Sequence, residues 1–478
     1  MTFRPRPYPE YRDSGVPWLA QMPCHWVVSP GFSSFREKQV KNTGMAETTV
    51  LSLSYGRIVV KPPEKLHGLV PASFETYQVV EPGEIIIRPT DLQNDFNSLR
   101  VGLARDRGII TSAYMCLSTA GDMTPDYGYL LLHAYDLKKI FYGLGSGLRQ
   151  NLDFSDLKRL PVLIPSGNEQ ARIAAFVAQL DRRINHLIRL KRRMIDLLNE
   201  QRQAIIHHAV TLGLGSDVRL KPSGVPWLGD VPEHWTVLSL RHVTNSRCDG
   251  PFGSGLKSLH YTAEGVRVIR LQNIGHGEFR DAAPAFISTA HYATLGDHDV
   301  KPGDLLVAGL GDAGIPAGRA CVAPPSCEPA MVKADCFRFR LKERLVDPHL
   351  LALQMSFTAT HASAILSRGA TRQRVNLQSM AGRAVVLPPI DEQKAILDAI
   401  ERGTSELSAA VALAHREIGL LREYRIRLVA DVVTGKFDVR DAEFGELDEG
   451  QGLDDFEIDE DAEAEETDEI EEDQHADE

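Results

Sequence analysis

Two stretches of the chain repeat apolar residues at steps of three and four, the spacing that lines one face of a helix. The first runs Ile173, Val177, Leu180, Ile184, Leu187, Met194, Leu198 and Ile205, with polar Lys191 and Gln201 at two of its positions. Shifted by 223 residues, the stripe returns as Ile396, Ile400, Leu407, Ala410, Ala414, Leu421, Leu428 and Val432, with Gly403 and Glu417 as its weak points. Heptad stripes of this length predict two helices of about 40 to 45 residues, roughly 60 to 70 Å long at ~1.5 Å per residue. Each must bury its seam, and the duplication supplies a partner in the same chain, which predicts an intramolecular antiparallel coiled coil. The opposite faces carry Arg182, Arg183, Arg189, Lys191, Arg192, Arg193 and Arg202 in one helix and Arg416, Arg422, Arg425 and Arg427 in the other. They suit a solvated face, or contact with a phosphate backbone or a partner subunit.

The duplication extends beyond the helices. Ser14-Gly15-Val16-Pro17-Trp18-Leu19, followed by Pro23 and His25-Trp26, recurs at an offset of 209 as Ser223-Gly224-Val225-Pro226-Trp227-Leu228, Pro232 and His234-Trp235. All four tryptophans lie in these two copies, and Trp with Pro makes a rigid amphipathic plug suited to docking on a neighbouring element. Each helix opens on a repeated Pro-x-x-x-Glu-Gln, Pro165 to Gln170 and Pro388 to Gln393, and closes on Val210-Thr211 or Val433-Thr434. Between plug and helix lie two interiors, about residues 27–160 and 236–383, the second longer by 14 residues. Gly83-Glu84-Ile85-Ile86-Ile87-Arg88 and Gly303-Asp304-Leu305-Leu306-Val307 read there as turn and strand. Near their ends Gly147-Leu148-Arg149-Gln150 matches Ala370-Thr371-Arg372-Gln373.

The predicted fold is α+β: two globular mixed α/β domains separated by two long helices that form an intramolecular antiparallel coiled coil, with pseudo-twofold internal duplication. The boundaries are residues 1–160 (plug and first globular domain), 161–212 (first helix), 213–385 (linker, second plug and second globular domain), 386–440 (second helix) and 441–478 (tail).

Charge changes this picture. The chain of 478 residues carries a formal net charge of −12, which on its face argues against a nucleic-acid partner. However, residues 441–478 hold 21 acids and no Lys or Arg, leaving 44 acids against all 53 bases in the body, a net of +9. The tail is too polar and self-repelling to bury a core and is predicted to be disordered. No apolar run approaches the ~18 residues of a membrane span, and the start Met1 to Pro7 lacks the apolar core of a signal peptide, so a cytoplasmic location and no membrane partner are expected. Six scattered cysteines without a C-x-x-C pair suggest neither a zinc cage nor a disulfide framework.

Motifs of catalysis fail one by one. Gly309-Leu310-Gly311-Asp312-Ala313-Gly314 fits G-x-G-x-x-G after a strand, yet Pro316 and Gly318 follow where a helix would have to begin, so it reads as a glycine-rich strand connection. No G-x-x-x-x-G-K-[ST] loop, H-E-x-x-H pair or Asn-Pro-Pro-aromatic methyltransferase motif occurs. His207-His208 are adjacent and point to different helix faces, unlike an i, i+4 metal pair. No catalytic or metal-binding residue is assigned.

With both plugs, both Pro-x-x-x-Glu-Gln helices and the divergent interiors in view, the chain resembles the specificity subunit of type I restriction-modification enzymes. Asp249-Gly250-Pro251-Phe252-Gly253-Ser254, Val268-Ile269-Arg270-Leu271-Gln272-Asn273-Ile274, the Gly303 to Gly311 stretch and Arg88-Pro89-Thr90-Asp91-Leu92-Gln93-Asn94-Asp95 resemble its target-recognition domains. The resemblance spans about residues 8–440, and the acidic tail departs from it. It implies a non-catalytic reader of double-stranded DNA that gathers two methyltransferase subunits and restriction/translocase subunits around a bipartite target. S-adenosylmethionine, ATP and Mg belong to those partners; no cofactor is expected in this chain. Heads of different sequence imply an asymmetric target, with helix length fixing the gap. Base readout calls for Arg, Gln and Asn, which make bidentate contacts to guanine and adenine, and affinity for Lys and Arg on phosphates. The DNA-binding candidates are Arg88, Gln93, Asn94, Arg100, Arg149 and Gln150 in the first head, and Lys257, Arg270, Gln272, Asn273, Arg368, Arg372 and Gln373 in the second. Each is equally suited to a surface or turn-capping role, and the recurrence of Arg149-Gln150 as Arg372-Gln373 favours phosphate positioning or anchoring. A stand-alone bipartite DNA-binding regulator and a self-sufficient DNA-modifying enzyme are the alternatives.

Overall fold

A computed structural model describes residues 6–442 apart from 55, 63–72, 96–97, 145–150, 216, 313 and 367–372. The acidic tail expected to be disordered lies outside the described residues from 443 on. The described chain divides into two compact units, one built from the residues up to Lys191 with those from Arg416, the other from Arg192–His415.

Each unit is organised on a four-stranded antiparallel sheet. In the first these are β1 (Phe35–Lys38), β2 (Ile85–Ile87), β3 (Val101–Leu103) and β4 (Met115–Thr119), in the spatial order β1-β4-β2-β3. In the second they are β5 (Thr244–Cys248), β6 (Leu305–Ala308), β7 (Ala320–Val322) and β8 (Cys336–Leu341), in the equivalent order β5-β8-β6-β7. Two sequences with little in common therefore build one scaffold. The β-turn glycine before the second strand recurs too: Gly83 (φ +90°) donates to the Ala104 carbonyl, and Gly303 (φ +87°) to that of Ala323. What differs is the chain inserted between the first two scaffold strands. In the first unit it includes the hairpin Leu51–Ser54 with Arg57–Val60, and in the second most of a separate five-stranded sheet.

After each sheet comes a short helix, α1 (Pro125–Leu137) or α3 (Pro348–Phe357), then a long one, α2 (Gly167–Leu212) or α4 (Ile390–Val433). Within the first unit Ile173, Val177, Leu180 and Ile184 of α2 share a buried core with Leu428, Val429, Val432 and Val433 of α4. Arg425 donates to both oxygens of Asp181 at 2.8 and 2.9 Å, and Lys191 pairs with Glu417, so the two helices run antiparallel. The two polar seam positions Lys191 and Glu417 thus answer each other. Within the second unit Ile206, Ala209 and Val210 pack with Ile396 and Ile400.

One part of the predicted seam shifts. Met194 is exposed and Ile205 only half-buried, while Ile195 and Ile206 are buried in their place. A straight helix at 3.6 residues per turn drifts by ~20° per heptad from a 3.5-residue repeat, so after three heptads the buried face is served by the following residue.

The repeated motifs explain how plug, sheet and helix lock together. Glu169, buried, accepts from the Tyr8 hydroxyl (2.7 Å), Trp26 Nε1 (3.0 Å) and His25 Nε2 (2.9 Å). Glu392 accepts from Trp235 Nε1 (3.1 Å) and His234 Nε2 (2.8 Å). The next residue grips the sheet side: Gln170 Oε1 accepts from the Thr124 amide and hydroxyl while its Nε2 donates to the Asp122 and Pro165 carbonyls. Gln393 repeats this on the Asp347 amide and on the carbonyls of Leu345 and Pro388. Each plug is closed from its other side by the end of a long helix. A Cβ on Gly435 (φ +80°) would lie 2.6 Å from Pro23 and 3.0 Å from Trp26, and one on Gly213 (φ +77°) 3.1 Å from Trp235, so only glycine fits these C-caps.

Candidate nucleic-acid interface

At one end of the first sheet β2 runs into the loop 88–95. Leu92 is buried and anchors it, while Gln93 and Asn94 face solvent. Asp91 sits at φ +60°; its amide donates to Asn151 Oδ1 (3.0 Å), and its carboxylate accepts from Asn94 Nδ2 (2.7 Å). Arg88 lies 3.4 Å from Asp95 and remains partly exposed. The Leu152 amide donates to the Pro89 carbonyl at 2.8 Å, which brings the chain just after Arg149-Gln150 to this loop. Arg149 and Gln150 themselves lie outside the described residues.

Arg100 is corrected. It is completely buried, and all five of its N–H bonds are directed to partners within the head: Nε to the Tyr142 hydroxyl (3.1 Å), Nη1 to the carbonyls of Arg88 (3.5 Å) and Thr90 (2.6 Å), Nη2 to those of Asp91 (3.1 Å) and Asp95 (2.7 Å). It has no donor left for a base or phosphate. Asn273 in the second head is corrected likewise: it is buried, with Oδ1 accepting from the Arg270 amide and Nδ2 donating to the carbonyls of Arg280 and Ala282. Both are residue types that read bases, used here to hold backbone.

In the second head three candidates, Arg270, Gln272 and Gln373, lie on segments near the end of β6. Arg270 and Gln272 are half-buried in the 270–274 turn; Arg270 Nη2 donates to the Ala283 carbonyl (2.6 Å), and its Nε has no partner among the described residues. Gln373 lies on the short strand Gln373–Arg374, which pairs with Leu310–Gly311, within the former G-x-G-x-x-G stretch; that stretch forms a strand and turn, with Asp312 Oδ1 accepting the amides of Gly314 and Ile315. Arg319 lies beneath both segments. Buried, it donates from Nε to the Ile274 carbonyl (2.8 Å), from Nη1 to those of Leu310 (3.1 Å) and Pro316 (3.3 Å), and from Nη2 to that of Leu271 (3.1 Å). Burial lowers its pKa. Lys257 lies apart from these: its backbone amide donates to His260 Nδ1 (3.1 Å), and the His260 ring sits tilted at 39° against that of His291, 4.0 Å between centroids. Arg368 and Arg372 lie outside the described residues.

One functional candidate, Arg374, is absent from the sequence-based candidates, and it stands beside the Asp249 to Ser254 stretch. Arg374, exposed, reaches both oxygens of Asp335 (3.1 and 3.2 Å) and stands over the Phe252 ring at 5.9 Å. The Asp335 amide in turn donates to Asp249 Oδ1 at 2.9 Å. Burial pushes the Asp249 carboxyl up to about 6, with neighbouring Asp335 adding to the rise. The one available signal was adjacency, Arg374 following Gln373 directly.

Both surfaces thus offer amide and guanidinium groups on loops fixed from below, an arrangement suited to hydrogen-bonding base edges and phosphates. Among the described residues, no cluster of three or more His, Cys, Asp or Glu could hold a metal ion, and no helix is long and apolar enough to cross a membrane.

Comparison with known proteins gives the same direction. Residues 105–193, from the chain after β3 through the first half of α2, match the family model of the type I restriction modification DNA specificity domain. The type I restriction enzyme MjaVIII specificity subunit of Methanocaldococcus jannaschii is 21% identical over 371 residues, covering 76% of this chain and 82% of that protein. The putative type I restriction enzyme MjaX specificity subunit of the same organism is 23% identical over 321 residues, covering 66% and 69%. A solved chain from a study of complex assembly and conformational transition in the type I R-M system superposes with a TM-score of 0.58 at 16% identity, covering 87% of this chain and 99% of that one, and so shares its fold.

Proposed function

We propose that this chain, which belongs to the specificity-subunit family of type I restriction-modification enzymes, reads an asymmetric bipartite DNA target with its two heads, one half-site each. The observation that carries this is the pairing of sameness and difference: one sheet order, one latch of plug to long helix (Glu169-Gln170 and Glu392-Gln393) and a buried arginine just before the same strand (Arg100 and Arg319) in both heads, with unrelated loops at the same end. Shared scaffolds suit a shared task, and unrelated loops suit unlike half-sites. Arg88, Gln93 and Asn94 would face one half-site, and Arg270, Gln272, Gln373 and Arg374 the other, with phosphate contacts from the surrounding Lys and Arg making binding salt-dependent. Methyl transfer and DNA translocation then fall to partners: two methyltransferase subunits using S-adenosylmethionine, and restriction/translocase subunits using ATP and Mg.

The test is a head exchange. Residues 27–160 are replaced by the corresponding head of another specificity subunit, the chain is co-expressed with its methyltransferase partner, and modified sites are sequenced. One half of the target is expected to change while the other stays. A change in both halves, or methylation by this chain alone, would overturn the reading.

A further inference from the structure

The structure assigns Arg100 and Arg319 as an equivalent pair of positioning residues, each setting the shape of its head's recognition loop from beneath and so governing the specificity of one half-site. This deepens the reading of the heads as DNA-recognition modules and rests on it.

Equivalence comes first. Arg100 immediately precedes β3 and Arg319 immediately precedes β7, which are the same strand of the same sheet. The Arg100 carbonyl accepts from the Arg88 amide (2.9 Å), and the Arg319 carbonyl from that of Ala308 (3.0 Å), so the backbones are in the same register as well. Arg100 then turns under the loop that leaves the neighbouring strand β2; Arg319 turns under the segment that leaves β6 and also under the 270–274 turn, which follows strand Val266–Ile269 of the five-stranded sheet. Arg100 collects four carbonyls of the 88–95 loop, and Arg319 collects two from the 270–274 turn and two from the 310–316 turn.

Two features separate this from ordinary core filling. Burying a guanidinium is costly, and an apolar side chain of similar volume would fill the space at lower cost, so a buried arginine is retained for what its hydrogen bonds fix. Its partners here are almost all backbone carbonyls of loops and short turns; Leu310, in a two-residue strand, is the one partner held by a ladder as well. In the first head the Tyr142 hydroxyl completes the frame, accepting from Arg100 Nε (3.1 Å) and donating to the Asp95 carbonyl (2.9 Å). The fixed loop holds Leu92 inward and presents Gln93 and Asn94 outward. Bidentate base contacts tolerate errors of only about 0.5 Å, so the frame that sets loop shape sets discrimination.

The test uses the full-length chain assembled with its methyltransferase partner. The wild-type target is first determined by sequencing methylated DNA. Binding is then measured to duplexes carrying that target, and to duplexes with one base pair changed in either half-site. Arg100→Lys, which keeps the charge but cannot span four carbonyls, should lower discrimination at the first half-site about tenfold and leave the second within about twofold of wild type. Arg319→Lys should do the reverse. Tyr142→Phe keeps the ring and Arg100, loses only the hydroxyl, and should give a smaller loss confined to the first half-site. A purely structural role predicts otherwise: less folded protein and a lower Tm, with unchanged discrimination in the fraction that binds. That outcome in both Lys variants and in Tyr142→Phe overturns the assignment. A wild-type protein without a two-part target would instead overturn the functional reading, whatever the arginines do.

Discussion

The two latches are built from the same residues yet differ in depth. Glu169 is almost inaccessible, its side chain 2% exposed, and holds three donors; Glu392 is 29% exposed and holds two. The extra donor is Tyr8, from a segment ahead of the plug that also carries Arg6, whose backbone pairs with Asp438. The start and the far end of the described chain thus close over the first latch. The motif occurs twice, and the paired segments around Tyr8 and Asp438 cover only the first copy.

The largest effect should therefore fall on the first latch. Glu169→Ala leaves the Trp26 indole and the Tyr8 hydroxyl buried without an acceptor and should cost about 3–5 kcal/mol, whereas Glu392→Ala should cost about 1–2 kcal/mol. Hydrogen exchange at the amides of each plug during urea titration separates the two. Equal losses would show that burial and the third donor add nothing. Tyr8→Phe sharpens the point by reducing the first latch to two donors, with an expected loss of about 1 kcal/mol.

The heads also differ in their response to acid. His133 in α1 is buried in the first head, and desolvation, aided by the Arg425 charge, lowers its pKa to about 4. The unfolded chain takes up that proton near pH 6.5 and the fold resists it, so this contribution is present above 6.5 and is lost as pH falls toward 4. Between pH 7 and pH 5 the first head should lose about 2 kcal/mol, and His133→Gln should abolish that slope. Asp249 in the second head works in the opposite sense. Its carboxyl titrates near 6 in the fold, so the penalty of its charge is present above about 6 and relieved as pH falls toward its unfolded value. Asp249→Asn keeps the Oδ1 acceptor for the Gly250 and Asp335 amides and should stabilise the second head at pH 7 by on the order of 1 kcal/mol, since the site is only half-buried. Chemical denaturation of each variant at pH 5 and pH 7 checks both signs; a loss of stability in Asp249→Asn at pH 7 would contradict the second.

What was legible in the sequence follows the reach of each interaction. The long helices and plugs were visible because their signals are local and stated twice. The roles of Glu169 and Gln170 were not, because their partners Tyr8 and Thr124 lie 161 and 46 residues away. The common sheet was hidden by strands of three to six residues: β2, β3, β6 and β8 are almost uniformly buried, while β1 and β5 are mostly exposed, and all are too short to show a period of two. A trace existed all the same: Thr124-Pro125 and Asp347-Pro348 are helix starts at the offset of 223 already seen in the long helices. In the sequence Arg100 and Asn273 look like base readers, because guanidinium and amide groups bind carbonyls as readily as bases and sequence shows the group without its direction. Arginine placed one residue before an apolar strand in both heads, Arg100-Val101 and Arg319-Ala320, was the available hint.

The smallest difference concerns the second long helix, α4, which carries one glycine in each unit. A Cβ on Gly403 would meet Ile205 Cγ2 at 3.4 Å, an ordinary contact, while one on Gly419 would meet nothing within 4 Å. Alanine at either site removes the entropic penalty of a glycine inside a helix, a gain of about 0.5–1 kcal/mol. Gly403→Ala should add a few tenths of a kcal/mol more, because its methyl also covers Ile205 across the seam. Thermal unfolding of the two variants and of the double variant reads the difference, and the two gains should add because the sites lie in separate units. If Gly419→Ala gained as much as Gly403→Ala, helix propensity alone would account for both. If Gly403→Ala were destabilising, the seam in the second unit would need the space that glycine leaves, and the weak point of the heptad stripe would be a fitted one.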